Sequence, residues 1–184
     1  MFDKIKSNAE LWESLIDISK EIILQPKTIL LREGETSNYI YYIKVGSLRL
    51  WHNKEGKDIT FQFFFENQVV TSIDSMVSNQ PSLFSIETIE RSIVMKMHKN
   101  DLKSIQEKFP ALKDEFNAYV FGRLRIYTEL FLSRIKDSPK ERFEELRTKY
   151  PEILQRIPQI YIASYLGITP ISLSRIKNKK TSKN

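Results

Sequence analysis

The stretch from Gln159 to Asn178 places small, apolar, capping and basic residues where two short helices joined by a tight turn would need them. Ile162 and Leu166 share one face of the first helix, and Ala163 is small where a second helix must come close. Gly167 can take the left-handed backbone that ends a helix, and Ile168 plugs the turn. Thr169 is a good cap, Pro170 suits the first position of the second helix, and Leu173 and Ile176 pack inward. Pro170, Ile171, Ser172, Ser174, Arg175, Lys177 and Asn178 are left to face outward. This is the layout of a helix-turn-helix, whose second helix enters the major groove of DNA with its N-terminal part. An arginine placed like Arg175 can hold a guanine edge through two hydrogen bonds, worth ~1–3 kcal/mol of discrimination. Ile171 cannot accept a hydrogen bond from cytosine but can lie against a thymine methyl.

Charge falls on the same segment. Residues 1–137 hold 19 basic and 19 acidic side chains, whereas residues 138–184 hold 10 basic and 4 acidic, so the whole net charge of +6 sits at one end. From Arg156 onward six cations (Arg156, Arg175, Lys177, Lys179, Lys180 and Lys183) meet no Asp or Glu. A neutral body with a cationic end suits a polyanion, either nucleic acid or an acidic membrane surface, and a solvated basic tail is the plain alternative. Agreement of the capping, turn and apolar positions with the acid-free segment favours double-stranded DNA. Only eight residues follow Ile176, so no β-hairpin wing is expected. Phosphate contacts then fall to Lys177, Lys179 and Lys180, with Arg156, Gln159 and Tyr161.

Other chemistries have little to work with. The absence of cysteine excludes a disulfide scaffold, a thiolate nucleophile, a Cys-ligated zinc site and an iron–sulfur cluster. His52, beside a hairpin turn, and His98, at a strand end, read as surface residues, and no metal site is expected. There is no Walker loop, dinucleotide fingerprint or Ser-His-Asp grouping, so the chain does not read as an enzyme. No apolar run reaches the roughly 18 residues that span a bilayer, and Met1 to Lys6 lack the apolar core of a signal peptide, so a cytoplasmic location without a membrane partner is expected.

The elements that position this segment follow from periodicity. Asn8 to Ser19 has helical spacing with Asn8 as a cap. From about Lys27 to Met97 short runs punctuated by Gly34, Gly46 and Gly56 read as strands. Asn53 to Lys57 is a hairpin turn, and the aromatic alternation at Phe61, Phe63 and Phe65 reads as core. Close-set strands of this kind make a compact antiparallel barrel or roll. After Asn100 the period is helical again: a short helix from Asp101 to about Glu107, then a long one from about Pro110 to Lys136. One stripe of the long helix runs Leu112, Phe116, Tyr119, Val120, Leu124, Tyr127, Phe131, Ile135, while Phe121, Ile126 and Leu132 lie off it. A helix apolar on more than one side needs two surfaces to bury it. The expected pair is its own roll and the same helix of a second copy, through Phe116, Tyr119, Val120, Leu124, Tyr127 and Phe131; a helix sandwiched inside one monomer is the alternative. Arg123 and Arg125 are expected to be solvated. Ser138-Pro139-Lys140-Glu141 starts a new helix with a capping box, and the charge step coincides with it.

Arg32-Glu33-Gly34-Glu35 and the run from Tyr42 to Leu50 resemble the glycine-punctuated start of a cyclic-nucleotide-binding β-roll. With the long helix and the terminal helix-turn-helix, residues 8–180 resemble the Crp/Fnr family, that of the cyclic-AMP receptor and the fumarate–nitrate regulator. The resemblance implies an α+β fold. It has an N-terminal antiparallel β-roll (a double-stranded β-helix, cupin-like) with flanking helices over residues 1–109, a dimerisation helix over 110–137, and an all-α helix-turn-helix domain over 138–184. It further implies a homodimeric transcription regulator on a two-fold symmetric DNA site, with RNA polymerase as a further partner.

The nucleotide cassette departs from the family pattern. Val70-Thr71 stand where a Gly-Glu pair would fall, Ser82-Leu83 stand where an Arg-Ser or Arg-Thr pair would fall, and no cation lies between Lys57 and Arg91. Val70, Thr71, Ser72, Ser82, Leu83 and Ser85 therefore read as a degenerate effector pocket without a cyclic-AMP cofactor. In the reading helix Pro170-Ile171 replace an Arg-Glu or Pro-Glu pair, while Ser174-Arg175 keep the family's second pair. A different reading keeps the sensing roll and gives the C-terminal helices a protein partner in place of DNA.

Overall fold

The computed structural model describes Ile5 and residues 7–178. Lys179 and Lys180, two of the expected phosphate contacts, lie outside the described residues. Helix α1 (Ala9–Asp17) is capped by the Asn8 side chain, which accepts from the Leu11 N–H at 3.1 Å, and it buries Leu11 and Leu15.

Eight strands follow: β1 (Lys20–Leu24), β2 (Ile29–Leu31), β3 (Tyr39–Val45), β4 (Leu48–Lys54), β5 (Lys57–Phe64), β6 (Val69–Val70), β7 (Ser85–Thr88) and β8 (Ser92–His98). Helix α2 (Ile73–Ser78) interrupts them between β6 and β7. They form two four-stranded sheets, ordered β1-β8-β3-β6 and β2-β7-β4-β5, with β8 antiparallel to both β1 and β3. Except at the β4–β5 hairpin, the chain alternates between the sheets, which is the antiparallel roll the sequence suggested. β1 precedes the expected start of the strand region, because its half-exposed Lys20-Glu21-Ile22-Ile23-Leu24 run has no clear alternation.

Strand alternation sorts the roll's side chains. Ile40, Tyr42 and Val69 face a cluster with Leu11, Leu15, Leu102 and Leu112 from the helices. Their neighbours Ile43 and Val70 point to the opposite face and are fully buried, as are Leu48, Leu50 and Ile86. Two turns depend on glycine. Glu55 and Gly56 both have positive φ (52° and 79°) in the two-residue β4–β5 hairpin, the geometry that matches strand twist. Gly46, at φ +100°, joins β3 to β4, and a Cβ there would lie 2.3 Å from Ser92 Oγ.

On the other face of β4, Arg49 donates to the Glu87 carboxylate of β7 at 3.0 Å, with both side chains almost fully buried. The pair costs desolvation on both sides, and removing one partner strands the other charge.

Helix α3 (Lys99–Lys108) leads to α4 (Pro110–Lys136), 27 residues and about 40 Å long. His98 caps α3, its Nδ1 accepting from the Asn100 N–H at 3.2 Å. Four helices follow: α5 (Pro139–Lys149), α6 (Pro151–Arg156), α7 (Gln159–Leu166) and α8 (Pro170–Asn178). Two compact units result, one of the residues up to Leu50 with Phe63–Ile126, the other of Trp51–Gln62 with the residues from Tyr127 on. The tip of the β4–β5 hairpin thus groups with the C-terminal helices. There Ser164 Oγ of α7 accepts from the Thr60 N–H (2.9 Å) and donates to the Asp58 carbonyl (2.8 Å).

Glu87→Ala, which leaves Arg49 buried and uncompensated, should cost about 3–5 kcal/mol in urea unfolding. The double variant Arg49→Met/Glu87→Leu should recover most of that loss; a single variant as stable as the parent would show that the pair is solvated.

Candidate nucleic-acid interface

The second unit is built to hold one helix end still. Ser138 and Glu141 form the expected capping box: Ser138 Oγ accepts from the Glu141 N–H (3.3 Å), and the Glu141 carboxylate accepts from the Ser138 N–H (2.7 Å). Hydrogen bonding from the Ser138 side chain, and then from its backbone N–H, holds the Glu141 carboxyl below its ordinary pKa. Phe143, Leu146, Ile153, Ile157, Ile162, Ala163, Leu166 and Leu173 are the buried apolar residues of this unit. Gly167 ends α7 at φ +69°, which lets the Ile168 N–H return to the Ala163 carbonyl at 3.0 Å.

The last carbonyls of α7 take donors from elsewhere in the unit. Arg134 donates to the Tyr165 carbonyl at 2.5 Å and Arg142 to the Leu166 carbonyl at 2.8 Å. The two cations sit at the negative end of the helix dipole and satisfy acceptors that α7 leaves open. Burial, followed by the like charge of Arg142, pulls the Arg134 pKa below its usual value. Neither arginine was singled out from the sequence. Only their partners' distance in the chain hides them, since cations near a helix C-terminus are a known signal.

The turn and second helix follow the expected pattern. Thr169 Oγ1 accepts from the Ser172 N–H at 3.1 Å and shares a hydroxyl hydrogen bond of 3.0 Å with Ser172. Ser172 is therefore half-buried and engaged with the cap. Leu173 is buried and Ile176 half-buried. Pro170, Ile171, Ser174, Arg175, Lys177 and Asn178 are exposed, and at 100° per residue Ile171, Ser174, Arg175 and Asn178 share the face opposite Leu173. In α7, Gln159 is exposed and Tyr161 half-buried; Ile160, not anticipated, is also exposed.

Helix α4 requires a correction. Phe116 and Tyr119 pack against the roll's cluster, and the Tyr119 hydroxyl donates to the Val69 carbonyl at 2.8 Å, so both are turned to the roll. Val120 and Tyr127 are half-buried. The open apolar side is Phe121, Leu124, Phe131 and Ile135, each 60–70 % exposed. With Thr128 they follow steps of three and four, the spacing of a coiled-coil seam. Phe121 lies off the stripe that the sequence suggests because a 3.6-residue period drifts from this 3.5-residue one. Arg123 is likewise not solvated: it is buried, with its guanidinium carbon 4.7 Å from the centre of the Phe64 ring.

The expected effector residues are brought together, Leu83 excepted. Thr71 Oγ1 bonds the Tyr39 carbonyl (2.9 Å) and Ser37 Oγ (3.1 Å), Ser82 Oγ bonds Ser72 Oγ (3.0 Å), and Ser85 Oγ accepts from the Glu33 N–H (2.9 Å). Val70 is buried, whereas Leu83 is 75 % exposed. Leu83 lies between Ser82 and Ser85, both buried and hydrogen-bonded, so it is the residue left to point outward. Among the described residues no group of acidic and histidine side chains could hold a metal ion, and no helix is long and apolar enough to cross a membrane.

Residues 21–109 match the cyclic nucleotide-binding domain. The anaerobic regulatory protein of Bacillus subtilis (strain 168) is 25% identical over 119 residues, 64% of this chain and 50% of that protein. The chain thus carries a cyclic nucleotide-binding domain over residues 21–109. The match spans half the length of that curated relative. The likeness in fold to solved structures extends over almost the whole chain. The c-di-GMP responsive global regulator CLP of Xanthomonas campestris covers 95% of this chain and 92% of its own, at TM-score 0.77 and 15% identity. FixK2 of Bradyrhizobium japonicum covers 90% and 86%, at TM-score 0.76 and 18% identity.

Because Gly167 holds a left-handed backbone, Gly167→Ala should destabilise the C-terminal unit by about 1–2 kcal/mol, read as faster amide exchange from Gln159 to Asn178. Exchange unchanged there would mean that the turn does not rely on that backbone.

Proposed function

We propose that this chain is a DNA-binding transcription regulator of the Crp/Fnr type that acts as a homodimer on a two-fold symmetric site. The observation that carries this reading is the exposed face of α8, where Ile171, Ser174, Arg175 and Asn178 stand beside Lys177 on a helix capped by Thr169. No Asp or Glu follows Glu152 in the sequence. That face has the donors to hold a guanine and the apolar surface to meet a thymine methyl, with cations placed for the phosphates.

Dimerisation is supported by α4. A soluble helix that leaves Phe121, Leu124, Phe131 and Ile135 in water along one seam gains by burying them against an identical seam. A dimer would present two reading helices to half-sites one turn apart, about 34 Å. Against a cyclic nucleotide at residues 70–85 stands the use of the local hydroxyls. Thr71, Ser72, Ser82 and Ser85 are bonded within the protein, and no cation lies between Lys57 and Arg91 to meet a phosphate.

Leu124→Glu should convert the protein to a monomer in sedimentation. Each lost Leu124 removes ~1.5–3 kcal/mol of apolar burial on both sides of the two-fold, so the dimer constant should weaken at least about 100-fold. A wild-type chain that sediments as a monomer would overturn the dimer.

Binding to duplex selected from a random pool should weaken with salt, with a log–log slope of roughly −5 to −7 for 6–8 phosphate contacts per dimer. Arg175→Ala should relax the preference at one guanine by ~1–3 kcal/mol. A flat salt dependence, or no retention of duplex in dilute buffer, would favour a protein partner for these helices.

A further inference from the structure

Behind the sheet β1-β8-β3-β6, on the face turned away from the roll interior, lies an apolar cavity of about 50 Å³. Trp12 and Leu15 of α1 close one side; Tyr42, Met95 and Met97 form the floor. Phe116 and Tyr119 of α4 close the other side. It is separate from residues 70–85: Val69 lines the cavity, while Val70 points to the opposite face of the same strand.

The lining hydroxyls are turned to other partners. Ser19 Oγ donates to the Leu15 carbonyl (2.6 Å), the Tyr42 hydroxyl to Asn67 Oδ1 (2.8 Å), and the Tyr119 hydroxyl to the Val69 carbonyl (2.8 Å). A buried water needs two to four polar partners, and apolar cavities without them stay dry and take up neutral apolar guests. A cavity of about 150 Å³ admits benzene or xenon, so this smaller one suits a single large atom or a molecule of about three heavy atoms. Met95 and Met97 are flexible and polarizable, which lets the floor adjust to the guest.

We propose that this cavity is a binding site for a small neutral apolar molecule, and that α4 responds to its occupancy. The second part follows from the walls. Leu112, Phe116 and Tyr119 are successive inward positions of α4, and a guest contacts them together with α1 and the sheet, so it binds only while α4 is docked. Ligand that binds the docked form stabilises it by mass action.

The probe is xenon under pressure, applied to the full chain and read by methyl resonances of methionine. Saturable shifts are expected at Met95 and Met97 but not at Met76, which is buried in the same cluster without lining the cavity. Val69→Ile, or Leu15→Phe if the first variant folds poorly, fills the space and should abolish the shifts. With xenon at its dissociation constant, amide exchange of α4 from Leu112 to Ile126 should slow about twofold. Shifts that grow linearly with pressure, appear equally at Met76 or survive filling would overturn the site. Saturable shifts with unchanged exchange in α4 would overturn the coupling. Neither readout needs DNA or a dimer, so the outcome is independent of the regulator reading.

Discussion

The rotation of α4 about its own axis is the constraint from which much else follows. Leu112, Phe116 and Tyr119 dock on the roll, and the hydrogen bond from Tyr119 to the Val69 carbonyl pins the register. A helix turns 100° per residue, so fixing those three fixes the side chains that follow as far as Ile126. Phe121 and Leu124 are then left in solvent, and Arg123 is carried inward over Phe64. A one-residue slip would bury a different set and break the seam.

The C-terminal unit meets a different requirement. A short helix such as α7 leaves its last carbonyls open, and a helix-turn-helix cannot tolerate movement at the turn that aims its second helix. Gly167 supplies the backbone reversal, while Arg134 and Arg142 hold the Tyr165 and Leu166 carbonyls. Part of the positive charge that stands out in the C-terminal quarter is therefore engaged inside the protein. Arg142 counts toward the basic excess of residues 138–184 yet serves the turn. Arg175 and Lys177 of α8, by contrast, are exposed.

In the roll, polar groups are bonded to one another. Arg49 and Glu87 neutralise each other in the buried sheet, and the hydroxyls of residues 71–85 are occupied by their neighbours. An apolar cavity lies on the helix side, where the Tyr42 and Tyr119 hydroxyls donate to Asn67 and to the Val69 carbonyl.

The sequence by itself determined what depends on neighbours within about four residues. The caps at Asn8, Ser138 and Thr169, the left-handed Gly167, the Glu55-Gly56 hairpin and the span of α4 all read directly, because local sterics and short hydrogen bonds decide them. β1 escaped because a strand with three of its five residues exposed and none buried carries little alternation. Tertiary structure decided which faces stay open. Arg49 meets Glu87 across 38 residues, Tyr119 meets Val69 across 50, and Arg134 meets Tyr165 across 31. Those pairings depend on how the strands and helices pack, so the burial of Arg123, the exposure of Leu83 and Phe121, and the inward turn of Phe116 could not be read from spacing alone. Periodicity says that a helix has an apolar side, and only the surface it docks against says which residues that side leaves free.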